Sequence, residues 1–74
     1  MFEMRPIEDV VRIAGAGGGF AMNANLKQTE DLVRIASAAS RHGARITLSG
    51  LQLRPLEDLI RIASAGDGSV IFAE

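Results

Sequence analysis

The chain has no cysteine, no tryptophan and no tyrosine, and it has one histidine among 74 residues. Without cysteine there is no disulfide and no thiolate metal ligand, so we expect no metal and no other cofactor. Tryptophan and tyrosine are common anchors of binding surfaces, and both are missing. A domain of this size buries only about 60% of the surface that its unfolded chain exposes. Partner subunits are the remaining common source of additional stability.

Charge is almost balanced, with eight basic residues against nine acidic ones and a net charge of −1. The signs are mixed along the chain, whereas nucleic-acid-binding proteins typically carry a basic run or stripe. We therefore expect no nucleic-acid partner, and weak binding through the scattered arginines is kept as an alternative. Charges interrupt every apolar stretch before it reaches the length of a membrane span, so no membrane partner is expected. The first six residues lack the layout of a signal peptide, which makes the cytoplasm the expected location.

One short sequence motif occurs three times: Glu-Asp, two apolar residues, then Arg-Ile-Ala. The copies begin at Glu8, Glu30 and Glu57. At 100° per residue the apolar positions share one face and the charged positions share the other, which predicts three amphipathic helices. Prolines at Pro6 and Pro55 fit helix starts, and glycines past the last turns fit helix ends. The second helix is predicted to be about a turn longer than the others.

Past each glycine, apolar residues alternate with polar or small ones, which predicts short strands with one apolar face. Such runs start at Phe20, Ile46 and Val70, and a further one includes Phe2 and Met4. The predicted element order is therefore β-α-β-α-β-α-β.

This order predicts one small domain over residues 1–74, with three strand-helix repeats at about 1–19, 20–43 and 44–74, the last including a final strand. Strands buried on both faces read as continuous apolar runs, whereas these alternate, with Val70-Ile71-Phe72 as the exception. We therefore expect a two-layer, solenoid-like α/β repeat with a mainly parallel sheet and all helices on one face. A mixed sheet with a swapped strand is the alternative.

Five leucines in the third repeat are regularly spaced, at Leu48, Leu51, Leu53, Leu56 and Leu59. This stretch resembles a leucine-rich repeat. The resemblance covers one unit, and it implies a one-sided strand-helix solenoid.

The recurring charges are interpreted as structural. Each exposed Glu-to-Arg pair four residues apart contributes about 0.3–0.5 kcal/mol. We expect the arginines also to contact Asp31 or Asp58 of the next helix, so that the charges form a ladder that sets the register between units. The residues of this predicted ladder are Glu8, Asp9, Arg12, Glu30, Asp31, Arg34, Glu57, Asp58 and Arg61.

No motif points to catalysis. Acid-base catalysis by two carboxyls needs different environments for them, and three like copies on solvated helix faces offer the opposite. The glycine run 15–19 follows a helix and opens a strand, whereas a phosphate loop follows a strand and opens a helix. His42 stands at a helix end, where a positive charge is favoured by the helix dipole. We expect no enzyme and no catalytic residue.

Sheet edges without a capping element invite pairing with another chain. We therefore predict a self-assembling interaction or scaffold module, a homo-oligomer with a dimer favoured, whose edge residues are Phe2, Met4, Val70 and Phe72. The alternative is an adaptor that binds a peptide or an unknown protein on the uncovered sheet face, through Glu3, Asn23, Arg45, Thr47 and Ile71.

Overall fold

The structure is a computed structural model that describes residues 5–73, in which three helices alternate with three strands. The predicted strand that includes Phe2 and Met4 lies outside the described residues. In chain order the elements are α1 (Ile7–Gly15), β1 (Phe20–Asn23), α2 (Thr29–His42), β2 (Ile46–Ser49), α3 (Leu56–Gly66) and β3 (Val70–Phe72).

The three strands form one parallel sheet in the order β1-β2-β3. Phe20 of β1 lies beside Ile46 of β2, and Ile46 lies beside Val70 of β3. α2 connects β1 to β2 and α3 connects β2 to β3, because parallel neighbours need a long crossover connection. The predicted α/β class with a parallel sheet is thereby confirmed for the described residues.

One face of the sheet carries the core. Met22, Ile46 and Leu48 are buried, whereas Ala21 and Ile71 on the opposite face are exposed. This alternation follows from the period of two along a strand. The helices contribute further residues to the same core cluster. These are Val10 and Ala14 from α1, Leu32, Ile35, Ala36, Ala38 and Ala39 from α2, and Ile62 from α3.

The helices lie side by side, with α2 packed against both α1 and α3. Small residues allow a close approach: the position that a Cβ atom would take at Gly66 of α3 is 3.5 Å from the Cβ of Ala36 in α2. Within the described chain, α1 and α3 therefore each have a helical neighbour on one flank only. α2 is also the longest helix, with 14 residues against 9 and 11, as the sequence predicted.

α2 and α3 are each closed by a left-handed residue, as expected, but only at α2 is that residue a glycine. α2 ends at Gly43, whose φ is +74°, and the next residue's N–H donates to the Ala39 carbonyl at 3.1 Å. α3 was expected to close at a glycine, yet its left-handed residue is Asp67, with φ +45°. Aspartate tolerates this conformation better than most residues because its short side chain bonds locally.

Replacing Gly43 by alanine is expected to lower the free energy of unfolding by about 1 kcal/mol, because alanine strains at positive φ. Gly15 is the matched control. A Cβ atom added at Gly15 or at Gly43 would have no other atom within 4 Å, and of the two residues only Gly43 has a positive φ. Gly15→Ala is expected to raise stability by about 0.5 kcal/mol. Urea unfolding followed by circular dichroism measures both, and equal effects would contradict the assignment of strain to Gly43.

Candidate interaction surfaces

Two ion pairs join neighbouring helices at equivalent positions of the repeat. Arg34 of α2 donates from Nη2 to both carboxylate oxygens of Glu8 in α1, at 3.1 and 3.2 Å. Arg61 of α3 donates from Nη2 to Oε1 of Glu30 in α2, at 3.0 Å. In both cases the arginine of one helix binds the glutamate of the helix before it. The same contact therefore recurs from one repeat to the next.

These partners differ from those that the sequence led us to expect. Asp31 lies 3.9 Å from Arg34 of its own helix, so the two side chains share the flank of α2 that faces α1. From that flank Arg34 reaches back to the preceding helix and not forward to Asp58, which instead accepts a hydrogen bond from the Thr29 hydroxyl at 3.2 Å. Glu8 and Glu30 likewise pair between helices and not with the arginine four residues further along their own helix.

Arg54, in the loop between β2 and α3, binds the loop that follows β1. Its Nη2 donates to the carbonyl oxygens of Ala24 and Asn25, both at 3.2 Å, and to that of Lys27. Its Nη1 donates to the hydroxyl of Thr29 at 3.0 Å. One partly buried guanidinium thus joins the two loops at the carboxyl ends of β1 and β2.

Sequence reasoning did not assign this role to Arg54, although a signal was present. A basic residue stands three positions before the Glu-Asp pair in every repeat, as Arg5, Lys27 and Arg54. Arg5 has its guanidinium 3.7 Å from Asp9 of its own repeat.

Apolar side chains are exposed along the flank of α3 opposite to Arg61. Leu56 is 67% exposed and Ile60 is 53% exposed, and at the end of β3 Phe72 is 42% exposed. We define the α3–β3 end surface as the following residues: Leu56, Leu59, Ile60, Ala63 and Phe72.

The equivalent positions of the earlier helices are covered. Ala14 and Ala36 have relative exposures of 0% and 1%, whereas Ala63 is exposed. Leu32 is fully buried, whereas Leu59 is only partly buried. In α1 and α2 the following helix lies beside this flank, and α3 has no following helix within residues 5–73. The α3–β3 end surface is thus the place that a further neighbour would occupy.

The outer edge of β3 adds backbone groups to this end of the molecule. The Ser69 carbonyl accepts from the Ile46 N–H at 2.8 Å, and the Ala73 N–H donates to a carbonyl of β2 at 2.8 Å. Because alternate residues of a parallel strand bond to the same neighbour, Val70 and Phe72 direct their N–H and C=O groups away from β2. No other strand of the described chain pairs with this edge.

The residues predicted for the uncovered sheet face form a separate surface. Thr47 is partly buried between Ala21 and Ile71 in the strand register, and Asn23 and Arg45 are exposed. These side chains lie on the opposite side of the sheet from the core. The remaining predicted contact residues lie outside the described part of the chain: Phe2, Glu3 and Met4.

A shallow depression of about 190 Å³ lies at the α3–β3 end, lined by Leu51, Gln52, Leu59, Phe72 and Ala73. None of these side chains ionises, so the depression offers apolar contact without acid-base chemistry. Across residues 5–73 no group of three carboxylate or histidine side chains could hold a metal ion. The three described helices are all too short and too polar to cross a membrane.

Comparison of the chain with protein-family models, with curated proteins and with solved structures gave no match. The likeness to leucine-rich repeats therefore remains one of leucine spacing. Leu48 and Leu51 of that spacing are buried, whereas Leu53 is 99% exposed and Leu56 is 67% exposed.

Arg54→Met is expected to lower the free energy of unfolding by about 2 kcal/mol, because it removes every hydrogen bond between the guanidinium and the β1 loop. Arg45→Met is the matched control, since Arg45 is exposed and its side chain makes no hydrogen bond within residues 5–73. The control is expected to change stability by less than about 0.5 kcal/mol. Denaturant titration at low protein concentration measures both, and similar losses would show that Arg54 does not hold the loops together.

Proposed function

We propose that this protein is a non-enzymatic self-assembling module, whose copies associate through the outer edge of β3 and the adjoining α3–β3 end surface. The smallest assembly of this kind is a dimer. The observation that carries the proposal is a difference in burial on the flank that faces a following helix, where Ala14 and Ala36 are buried and Ala63 is exposed. The same repeat positions are covered in α1 and α2 and open in α3.

The chemistry of this end supports protein association. Leu56, Ile60 and Phe72 are all exposed apolar side chains at this end of the molecule, and exposed apolar surface favours burial against a partner. Beside them, Val70 and Phe72 present backbone donors and acceptors that a strand of another chain would satisfy. Apolar burial would supply most of the affinity, and strand pairing would fix the orientation.

The charged residues of the repeat support a structural role for the repeat over a catalytic one. Glu8, Arg34, Glu30 and Arg61 hold neighbouring helices together through two equivalent ion pairs. These four charged groups are therefore already paired with one another within the fold.

Phe72→Pro is expected to abolish association through β3, because proline has no N–H and its ring obstructs pairing at the outer edge. Phe72→Ala is the matched control, since it removes the same aromatic ring and keeps the backbone donor. The alanine variant is expected to weaken association and retain strand pairing. Size-exclusion chromatography with light scattering, up to millimolar protein, gives the masses. A wild-type chain that stays monomeric throughout this range would overturn the proposed function.

The uncovered sheet face supports a second candidate, an adaptor that binds an extended peptide. Ile71 is 47% exposed there, Thr47 lies beside it in β2, and Arg45 directly precedes β2. Peptides selected on the wild-type protein from a random library are expected to lose binding to an Arg45→Glu, Thr47→Glu double variant with an unchanged circular dichroism spectrum. Binding that survives both substitutions would exclude this face as the peptide site. The control is the Phe72→Pro variant, in which the uncovered face is unaltered.

A further inference from the structure

The pairing between helices follows one rule, and the rule leaves one charge without a partner at each end of the row. The glutamate of each repeat binds the arginine of the following helix, as Glu8 binds Arg34 and Glu30 binds Arg61. Glu57 is the third such glutamate and is exposed. Within residues 5–73 it has no following helix and no ion pair.

At the other end the arginine lacks its glutamate. Arg12 is exposed, and no carboxylate of residues 5–73 lies within ion-pair distance of it. The apolar residue beside it shows the same incompleteness, because Ile13 is only partly buried where its equivalents Ile35 and Ile62 are fully buried. Among residues 5–73, α1 thus has an uncovered flank of the same kind as the flank on which α2 and α3 contact the preceding helix.

The loops after β1 and β2 show the same relation between successive repeats as the helices do. In the loop after β1 the Lys27 N–H donates to the Ala24 carbonyl at 3.0 Å, and in the loop after β2 the Arg54 N–H donates to the Leu51 carbonyl at 3.1 Å. Both loops therefore form the same turn. The first turn already receives the Arg54 guanidinium on its carbonyl oxygens, and the second turn offers the equivalent carbonyls to the equivalent residue, Arg5, of another copy.

We propose that the occupant of the α3–β3 end surface is the α1 end of a second copy, so that copies stack head to tail. This inference rests on the self-association proposed above and adds the partner surface and the polarity. Arg12 of the second copy pairs with Glu57 of the first, as Arg34 pairs with Glu8 within one chain. Because the two contacting surfaces differ, the contact is heterologous and growth continues past the dimer unless a ring closes.

Charge reversal tests the polarity. Glu57→Arg alone places two arginines opposite each other at the contact, and Arg12→Glu alone places two glutamates there. Each single variant is expected to weaken association about tenfold, because a favourable pair is replaced by a repulsive one. An equimolar mixture of the two variants is expected to associate as the wild type does, since each unlike contact is then complementary.

The double variant Glu57→Arg, Arg12→Glu keeps the net charge of −1 and the pairing in reversed order, so it is expected to associate as the wild type does. Analytical ultracentrifugation from micromolar to millimolar protein gives the dissociation constants, and circular dichroism checks the fold of each variant. Restoration in the mixture and in the double variant supports head-to-tail stacking. Single variants that associate like the wild type, or a mixture no stronger than the single variants, would overturn it while leaving wild-type association intact. A monomeric wild type would instead remove the proposed function itself.

Discussion

Lateral packing of one helix against the next is the constraint on which the rest of this structure depends. The three helices carry nearly the same motif, yet α2 contains five buried residues and α1 and α3 contain two each. Part of the difference from α1 comes from the greater length of α2, which buries Ala38 and Ala39 beyond the position at which α1 ends. The difference from α3 comes from position, because Ala36 is covered by α3, whereas its equivalent Ala63 is exposed and has no following helix within residues 5–73. Burial in this chain is therefore set by place in the row as much as by residue type.

Magnitudes separate the roles of the apolar and charged contacts. Burying one leucine or isoleucine side chain, such as Leu32 or Ile35, contributes about 1.5–3 kcal/mol. An exposed ion pair such as Arg34 with Glu8 contributes about 0.2–1 kcal/mol. The apolar flanks therefore supply most of the stability, and the expected role of the ion pairs in setting the register between helices stays a prediction. Arg54 belongs to neither group, since a single guanidinium binds three backbone carbonyls of the neighbouring loop and fixes the strand ends.

Sequence periodicity was sufficient for the three described helices and the three described strands, because each depends on residues close together in the chain. The parallel sheet followed from their alternation, because strands that a helix connects can pair in parallel. Periodicity was insufficient for side-chain contacts that depend on which flank of a helix faces the neighbouring helix. Arg34 was expected to reach forward along the row, yet it shares the α1-facing flank of α2 with Asp31 and so reaches back. The Arg54 contact was missed for a related reason: its main acceptors are backbone carbonyls, and these have no signature in the sequence. Only the recurrence of a basic residue at the same repeat position pointed to it.

A row of like units has two unlike ends, and this asymmetry decides between modes of self-association. A contact related by twofold symmetry would set two α3 flanks against each other, and the arginine flank of α1 would gain nothing from it. Stacking one copy on another in the same direction instead reuses the contacts that already join α1 to α2 and α2 to α3. It also gives α3 a second helical neighbour, and having two such neighbours is what makes α2 the best-buried helix. Because binding to the folded state stabilises it by mass action, assembly and the stability of the last repeat would rise together. The surface proposed for assembly is thus the same surface whose burial would give α3 the neighbour that α1 and α2 each have.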